Sequence, residues 1–144
     1  MLKKVFLIPL FFVVIIAGCK KNTTTPDTGV PNVAVNFTID VNNAMYAPLL
    51  NVGGFVYVSG GYDGIIIFCN GPSSYVAYDR GCPYDCESNS KAIVTVITGG
   101  IKAKCAVCGS TYSLYSGTVS GGPGSIALKQ YATSFDGTNL NVSN

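Results

Sequence analysis

The sequence predicts an all-β domain, a small sandwich or barrel. Three observations carry this: short apolar runs bounded by glycine, stretches in which apolar and polar residues alternate, and no segment with helical periodicity. Residues 33–41 alternate from Val35 onward, as a half-buried strand does. Residues 55–58 and 65–69 are short apolar runs between glycines, and their length suits core strands rather than helices. Further strands are expected at 74–78, 92–97, 101–104, 111–115, 126–128 and 130–135. Asp136-Gly137 marks a tight turn, and Leu140 and Val142 alternate beyond it in a last strand. Many short strands at this spacing fit a sandwich or a barrel.

The ends of the chain have different characters. Lys3 and Lys4 precede an apolar run from Val5 to Ala17, broken by Pro9. The run falls short of the roughly 20 residues a membrane-spanning helix needs and has the proportions of a signal-peptide core. It ends Ala17-Gly18-Cys19, which resembles a bacterial lipobox, in which the cysteine is lipidated and becomes the mature N-terminus. The expected organisation is a leader at 1–18, a flexible tether at 19–32 rich in Thr, Pro and Gly, and one β domain at 33–144. Lipid on Cys19 would hold the protein on a membrane of a bacterial cell envelope, with the domain in the periplasm or at the cell surface.

The charge belongs to the leader. Nine basic residues less Lys3 and Lys4 leave seven, against seven acidic ones. A neutral body without a basic cluster argues against a nucleic-acid partner.

The chain contains six cysteines and no histidine. Triads, Cys–His nucleophile pairs and histidine metal ligands are therefore excluded. Cys82 and Cys86 form a Cys-x3-Cys pair, Cys105 and Cys108 a Cys-x2-Cys pair, and each pair follows an expected strand on a loop shaped by Gly81, Pro83 or Gly109. Two loops with two thiols each can converge on a tetrahedron, and the spacing lies near that of four-thiolate zinc sites. The same four thiols can instead hold an iron–sulfur cluster or pair as disulfides between the loops, and Cys105 and Cys108 also form a possible dithiol pair. Cys69 ends an apolar run and reads as a buried, inert thiol. Asp79, Asp85 and Glu87 flank the first pair and read mainly as a solvated loop face, although they can also serve as hard metal ligands. Gly121-Gly122-Pro123-Gly124 lacks the lysine of a phosphate loop and reads as a turn.

Cys82-Pro83-Tyr84, followed by Cys105-Ala106-Val107-Cys108-Gly109-Ser110-Thr111-Tyr112, resembles the two-loop motif of Rieske iron–sulfur domains, which reads Cys-Pro-His and Cys-x2-His-Gly-Ser-x-Phe. Gly117, Gly122-Pro123, Leu128, Tyr131, Gly137, Leu140 and Val142 continue the similarity. The resemblance implies an all-β fold in which a two-loop cluster-binding subdomain is inserted in a barrel-like base. It also implies a two-iron two-sulfur cluster, and thus a membrane-anchored electron carrier with a protein redox partner. Tyr84 and Cys108 stand where the family has histidines, so a cluster would need thiolates from Cys82, Cys86, Cys105 and Cys108, with Tyr84 as a nearby hydrogen-bond donor. The alternative is a cluster-free module, stapled by zinc or disulfides, with a structural or surface-interaction role. An enzyme acting alone is not expected.

Overall fold

The computed structural model describes residues 28–144. The expected leader, Cys19 and most of the expected tether lie outside the described residues. Ten strands follow in chain order. They are β1 (Asn36–Asp40), β2 (Phe55–Val58), β3 (Ile65–Gly71), β4 (Ser74–Asp79), β5 (Val94–Val96), β6 (Lys102–Cys105), β7 (Thr111–Ser113), β8 (Val119–Gly121), β9 (Gln130–Phe135) and β10 (Asn139–Ser143). They form a six-stranded sheet, ordered β1-β10-β9-β4-β3-β2, and a four-stranded sheet, ordered β5-β6-β7-β8. Every pairing is antiparallel. The smaller sheet is inserted in the chain between β4 and β9, which pair with each other through Ala77 and Tyr131. This is the expected all-β architecture of a base with an inserted two-loop subdomain.

The two apolar runs 65–69 and 74–79 become the middle of the molecule because both faces are covered. Side chains alternate across a strand. Ile65, Ile67, Cys69, Tyr75 and Ala77 therefore face a core shared with Val35, Ile39, Leu49, Leu140 and Val142. Ile66, Phe68, Val76 and Tyr78 face the opposite core, with Val94, Ala103 and Tyr112 of the inserted sheet and Leu114 just beyond β7. The second core also contains Cys82 and Cys105, so the base packs directly beneath the sulfur loops. Cys69 is buried in the first core, and its thiol donates to the Gly71 carbonyl.

Four details differ from the sequence reading. Residues 119–121, where no strand is expected, form β8 and pair with β7. Residues 44–50 form a 3-10 helix capped by Asn43, whose side chain accepts from the Met45 N–H; its single turns and internal Pro48 are too short to show a period. Residues 126–128 are not a strand: Ile126 is exposed, and Leu128 drops into the second core with its N–H bonded to the Gly117 carbonyl at 2.9 Å. Thr28 to Asn32 pack on the domain, with Val30 buried and the Lys129 ammonium donating to the Pro31 carbonyl at 2.8 Å and to Asn32 Oδ1 at 3.0 Å. Among the described residues no helix is long and apolar enough to cross a membrane.

Gly54 lies where the 3-10 helix meets β2 and β3. A Cβ there would overlap the Pro48 carbonyl oxygen and stand 2.9 Å from that of Asn51. Both are backbone atoms, so the helix or the strand must move. Gly54→Ala should lower unfolding free energy by about 3 kcal/mol, an overpacking cost at the upper end of the usual range. Chemical denaturation would show it, and a change below about 0.5 kcal/mol would refute the close contact.

Candidate metal centre

The site forms where two loops of the inserted subdomain meet. The first leaves β4 at Asp79. That carboxylate is fully buried and accepts from the N–H groups of Tyr62 (2.7 Å), Asp63 (3.3 Å) and Gly81 (2.7 Å) and from the Tyr131 hydroxyl (2.6 Å). Asp79 thereby anchors the chain three residues before Cys82. From Cys82 the chain makes one helical turn, with the N–H groups of Asp85 (3.1 Å) and Cys86 (2.9 Å) both bonded to the Cys82 carbonyl.

The second loop leaves β6 at Cys105. Gly109, at φ +78°, lets the chain reverse so that its N–H bonds the Cys105 carbonyl at 3.1 Å, while the Cys105 N–H bonds the Ser110 carbonyl at 2.9 Å. This tight turn aims the N–H groups of Val107 and Cys108 at the Cys105 sulfur. The glycine-rich segment 121–124 closes over it. A Cβ on Gly122 would lie 2.6 Å from Ser110 Cα, and the Gly124 N–H donates to Ser110 Oγ at 2.9 Å.

The loops bring together Cys82, Cys105, Cys108 and Asp85. One ligand atom from each lies within 4.8 Å of every other. Cys82 Sγ and Cys108 Sγ are 3.7 Å apart. The Tyr112 hydroxyl lies 3.4 Å from Cys82 Sγ, and the Cys108 thiol donates to Ser110 Oγ at 3.1 Å. Cys82 and Cys105 are fully buried, whereas Cys108 is partly exposed.

Cys86 stands apart from its expected place among four sulfurs. Successive side chains on a helical turn diverge by about 100°. Asp85 therefore faces the second loop, while the Cys86 thiol donates to the Gly29 carbonyl at 3.2 Å. Tyr84, expected beside the centre, is 54% exposed; the hydroxyl that reaches a sulfur is Tyr112. Spacing alone favoured Cys86 because two thiols in one short loop read as a ligand pair. The signal for Asp85 was its position three residues after Cys82.

The electrostatics of the three thiols differ. Burial pushes the Cys82 thiol up to about 12, despite hydrogen bonds from Tyr112 and the Tyr84 backbone that oppose the shift. Burial acts on Cys105 in the same sense, but the N–H groups of Cys108 and Val107 and the neighbouring thiols outweigh it and hold Cys105 below the ordinary cysteine value. Burial, then the negative charges of Asp63, Asp79 and Glu87, raise Cys86 to about 11. Asp85 Oδ2 is buried with no hydrogen-bond partner. Asp85 thus brings a carboxylate to three thiols and has a buried oxygen that no donor satisfies, a combination that suits a cation.

The group can thus hold a metal. A histidine-ligated two-iron centre is excluded because the chain has no histidine. A two-iron cluster held by four cysteines would find only Cys82, Cys105 and Cys108 in this group.

No family profile matches the sequence, and no curated protein does. Solved structures do match. One is a chain of the complex of reduced oxygenase and oxidized ferredoxin in carbazole 1,9a-dioxygenase, with TM-score 0.51 and 13% identity over 76% of this chain and 93% of that one. The fold is Rieske-like. Also similar are the ferredoxin of carbazole 1,9a-dioxygenase from Nocardioides aromaticivorans IC177 (TM-score 0.49, 16% identity, 77% of this chain and 97% of that one) and the Sphingomonas yanoikuyae B1 ferredoxin (TM-score 0.45, 14% identity, 62% and 84%). In this Rieske-like chain the inserted sheet carries the sulfur loops, and the base holds them from below.

Proposed function

We propose that the chain is an electron-carrying module of Rieske-like fold, with iron held chiefly by the thiolates of Cys82, Cys105 and Cys108 and with lipid on Cys19 fixing it to a bacterial cell envelope. The observation that carries the reading is the convergence of three cysteines from two loops into one group that reaches the surface at Cys108. Iron bound there would supply one-electron chemistry. The chain's own part is to hold the ligands, keep water from Cys82 and Cys105, and direct N–H groups at the Cys105 sulfur, which stabilises its charged form. Val107, next to Cys108 in the chain, and Tyr84, on the first loop, are exposed and offer apolar surface for a protein redox partner. A structural neighbour taken from a complex of oxygenase and ferredoxin supports a partner of that kind.

A second reading is a module stapled by zinc or a disulfide, with a structural or interaction role. The 3.7 Å approach of the Cys82 and Cys108 sulfurs favours it, because a small movement would join them in an oxidising compartment. The full chain purified without oxygen separates the two. Iron, with a visible charge-transfer band that bleaches and returns over a cycle of reduction and oxidation, is the expected result. Zinc alone, or a colourless protein two hydrogens lighter than its thiol form, would overturn the electron-carrier reading.

A further inference from the structure

The Rieske pattern places its ligands on two metal atoms, whereas the loops here gather theirs around one point. We propose that the centre is mononuclear: a single metal ion bound by Cys82, Cys105, Cys108 and the Asp85 carboxylate in a tetrahedron of three sulfurs and one oxygen. This rests on the metal-binding reading of the same group, and it decides how many metals are present and which fourth residue binds.

Three observations support the single metal. A metal–sulfur bond of about 2.3 Å gives a tetrahedron with edges of about 3.8 Å. The Cys82 and Cys108 sulfurs are already 3.7 Å apart, and no pair of the four ligand atoms exceeds 4.8 Å. One ion can satisfy such a group with small side-chain adjustments. A two-metal cluster would have to spread half of its ligands away from the other half. Next, the residues that would carry that spread are turned elsewhere. Tyr84, at the position of the family's first histidine, is 54% exposed, and the Cys86 thiol is committed to the Gly29 carbonyl. Finally, Asp85 is the carboxylate that reaches the three sulfurs, and one of its oxygens lacks a partner. Asp85 Oδ2 is buried without a donor, whereas the Asp79 carboxylate at the end of β4 accepts four hydrogen bonds. Leaving a buried carboxylate oxygen unpaired is costly unless a cation neutralises it.

The donor set also limits the ion. Three soft thiolates and one carboxylate in a tetrahedral group suit zinc, iron(II) or cobalt(II), while calcium and magnesium require oxygen-rich shells of six or more ligands.

Cobalt(II) chloride is the probe, added without oxygen to the reduced, metal-free full chain. The expected result is saturation at one equivalent, with the visible bands of a tetrahedral ion and thiolate-to-cobalt charge transfer. Asp85→Asn, which keeps the shape of the side chain, should weaken binding by at least about tenfold. Asp85→Cys should keep the one-to-one stoichiometry and raise the charge-transfer intensity by about a third, one thiolate added to three. Far-ultraviolet circular dichroism would show that both variants fold. A purely supporting role for Asp85 would not raise that intensity, so an unchanged band in Asp85→Cys overturns the assignment, as does wild-type affinity in Asp85→Asn. Metal analysis of the protein as purified keeps this proposal separate from the electron-carrier reading. Two irons with two sulfides per chain would overturn the single-metal centre and leave electron transfer standing. One zinc ion would support the single-metal centre and overturn electron transfer.

Discussion

Replacing Asp79 with alanine is expected to be the most destabilising single change in the domain. Its carboxylate is fully buried and accepts from three backbone N–H groups and one hydroxyl, and these come from separate parts of the chain. Tyr62 and Asp63 lie in the turn between β2 and β3, Gly81 lies at the start of the first sulfur loop, and Tyr131 is on β9. Alanine removes the acceptor from all four at once and provides no route for water. A hydrogen bond to a charged group contributes roughly 1.5–3 kcal/mol, and a buried donor left unpaired costs about 1–3 kcal/mol. These terms overlap rather than add, and a loss of about 4 kcal/mol is expected, a large part of a typical domain's 5–15 kcal/mol. The midpoint of thermal unfolding should fall by on the order of 20 °C. Asp79→Asn should also destabilise, because its amide nitrogen must face donors. A loss below about 1 kcal/mol for the alanine variant would show that Asp79 does not anchor these elements.

The same residue marks the limit of what the sequence could disclose. The strands were legible because alternation and glycine-bounded apolar runs are local signals. Residues 65–69 read as a core strand and 74–78 as a further strand, and both are covered on both faces, which removes most polar residues from them. The 3-10 helix at residues 44–50 was not legible, for it is too short for a period and contains Pro48. β8 was hidden by its glycine-rich surroundings. At the site, pairs of cysteines at short spacing identified the two loops correctly, but spacing does not state which way a side chain points. Asp85 and Cys86 are neighbours on one turn, and only the path of the chain past Gly29 separates their roles. Asp79 and Asp85 look alike in the sequence. One is surrounded by donors and the other by sulfur, and that difference arises from contacts far apart in the chain, such as Tyr131 with Asp79 and Cys108 with Asp85.

Replacing Cys105 with serine should have the largest effect on metal retention, and its comparison with Cys86→Ser tests how the loops share the task. Cys105 is fully buried at the end of β6, and its sulfur receives the N–H groups of Val107 and Cys108. Those bonds make it the thiol held below the ordinary cysteine value, and so the one most ready to bind a metal as thiolate. Serine can accept the same N–H groups and is nearly the same size, so the fold should persist while the thiolate is lost. Structural zinc sites carry about 10–16 kcal/mol of apparent binding free energy, or roughly 2.5–4 kcal/mol per ligand when shared among four. Affinity in Cys105→Ser should therefore fall by about 100- to 1,000-fold, and the stabilisation that metal confers on thermal unfolding should shrink with it. Cys86→Ser keeps a donor for the Gly29 carbonyl and removes no ligand, so its affinity should stay within about twofold of wild type. Both affinities would be measured by competition with a chelator of known strength. Equal losses in the two variants would mean that Cys86 binds the metal after all and that the first loop turns over when the ion enters. A large loss in Cys105→Ser alone would establish that the second loop and Cys82, not the four paired sulfurs suggested by spacing, hold the ion.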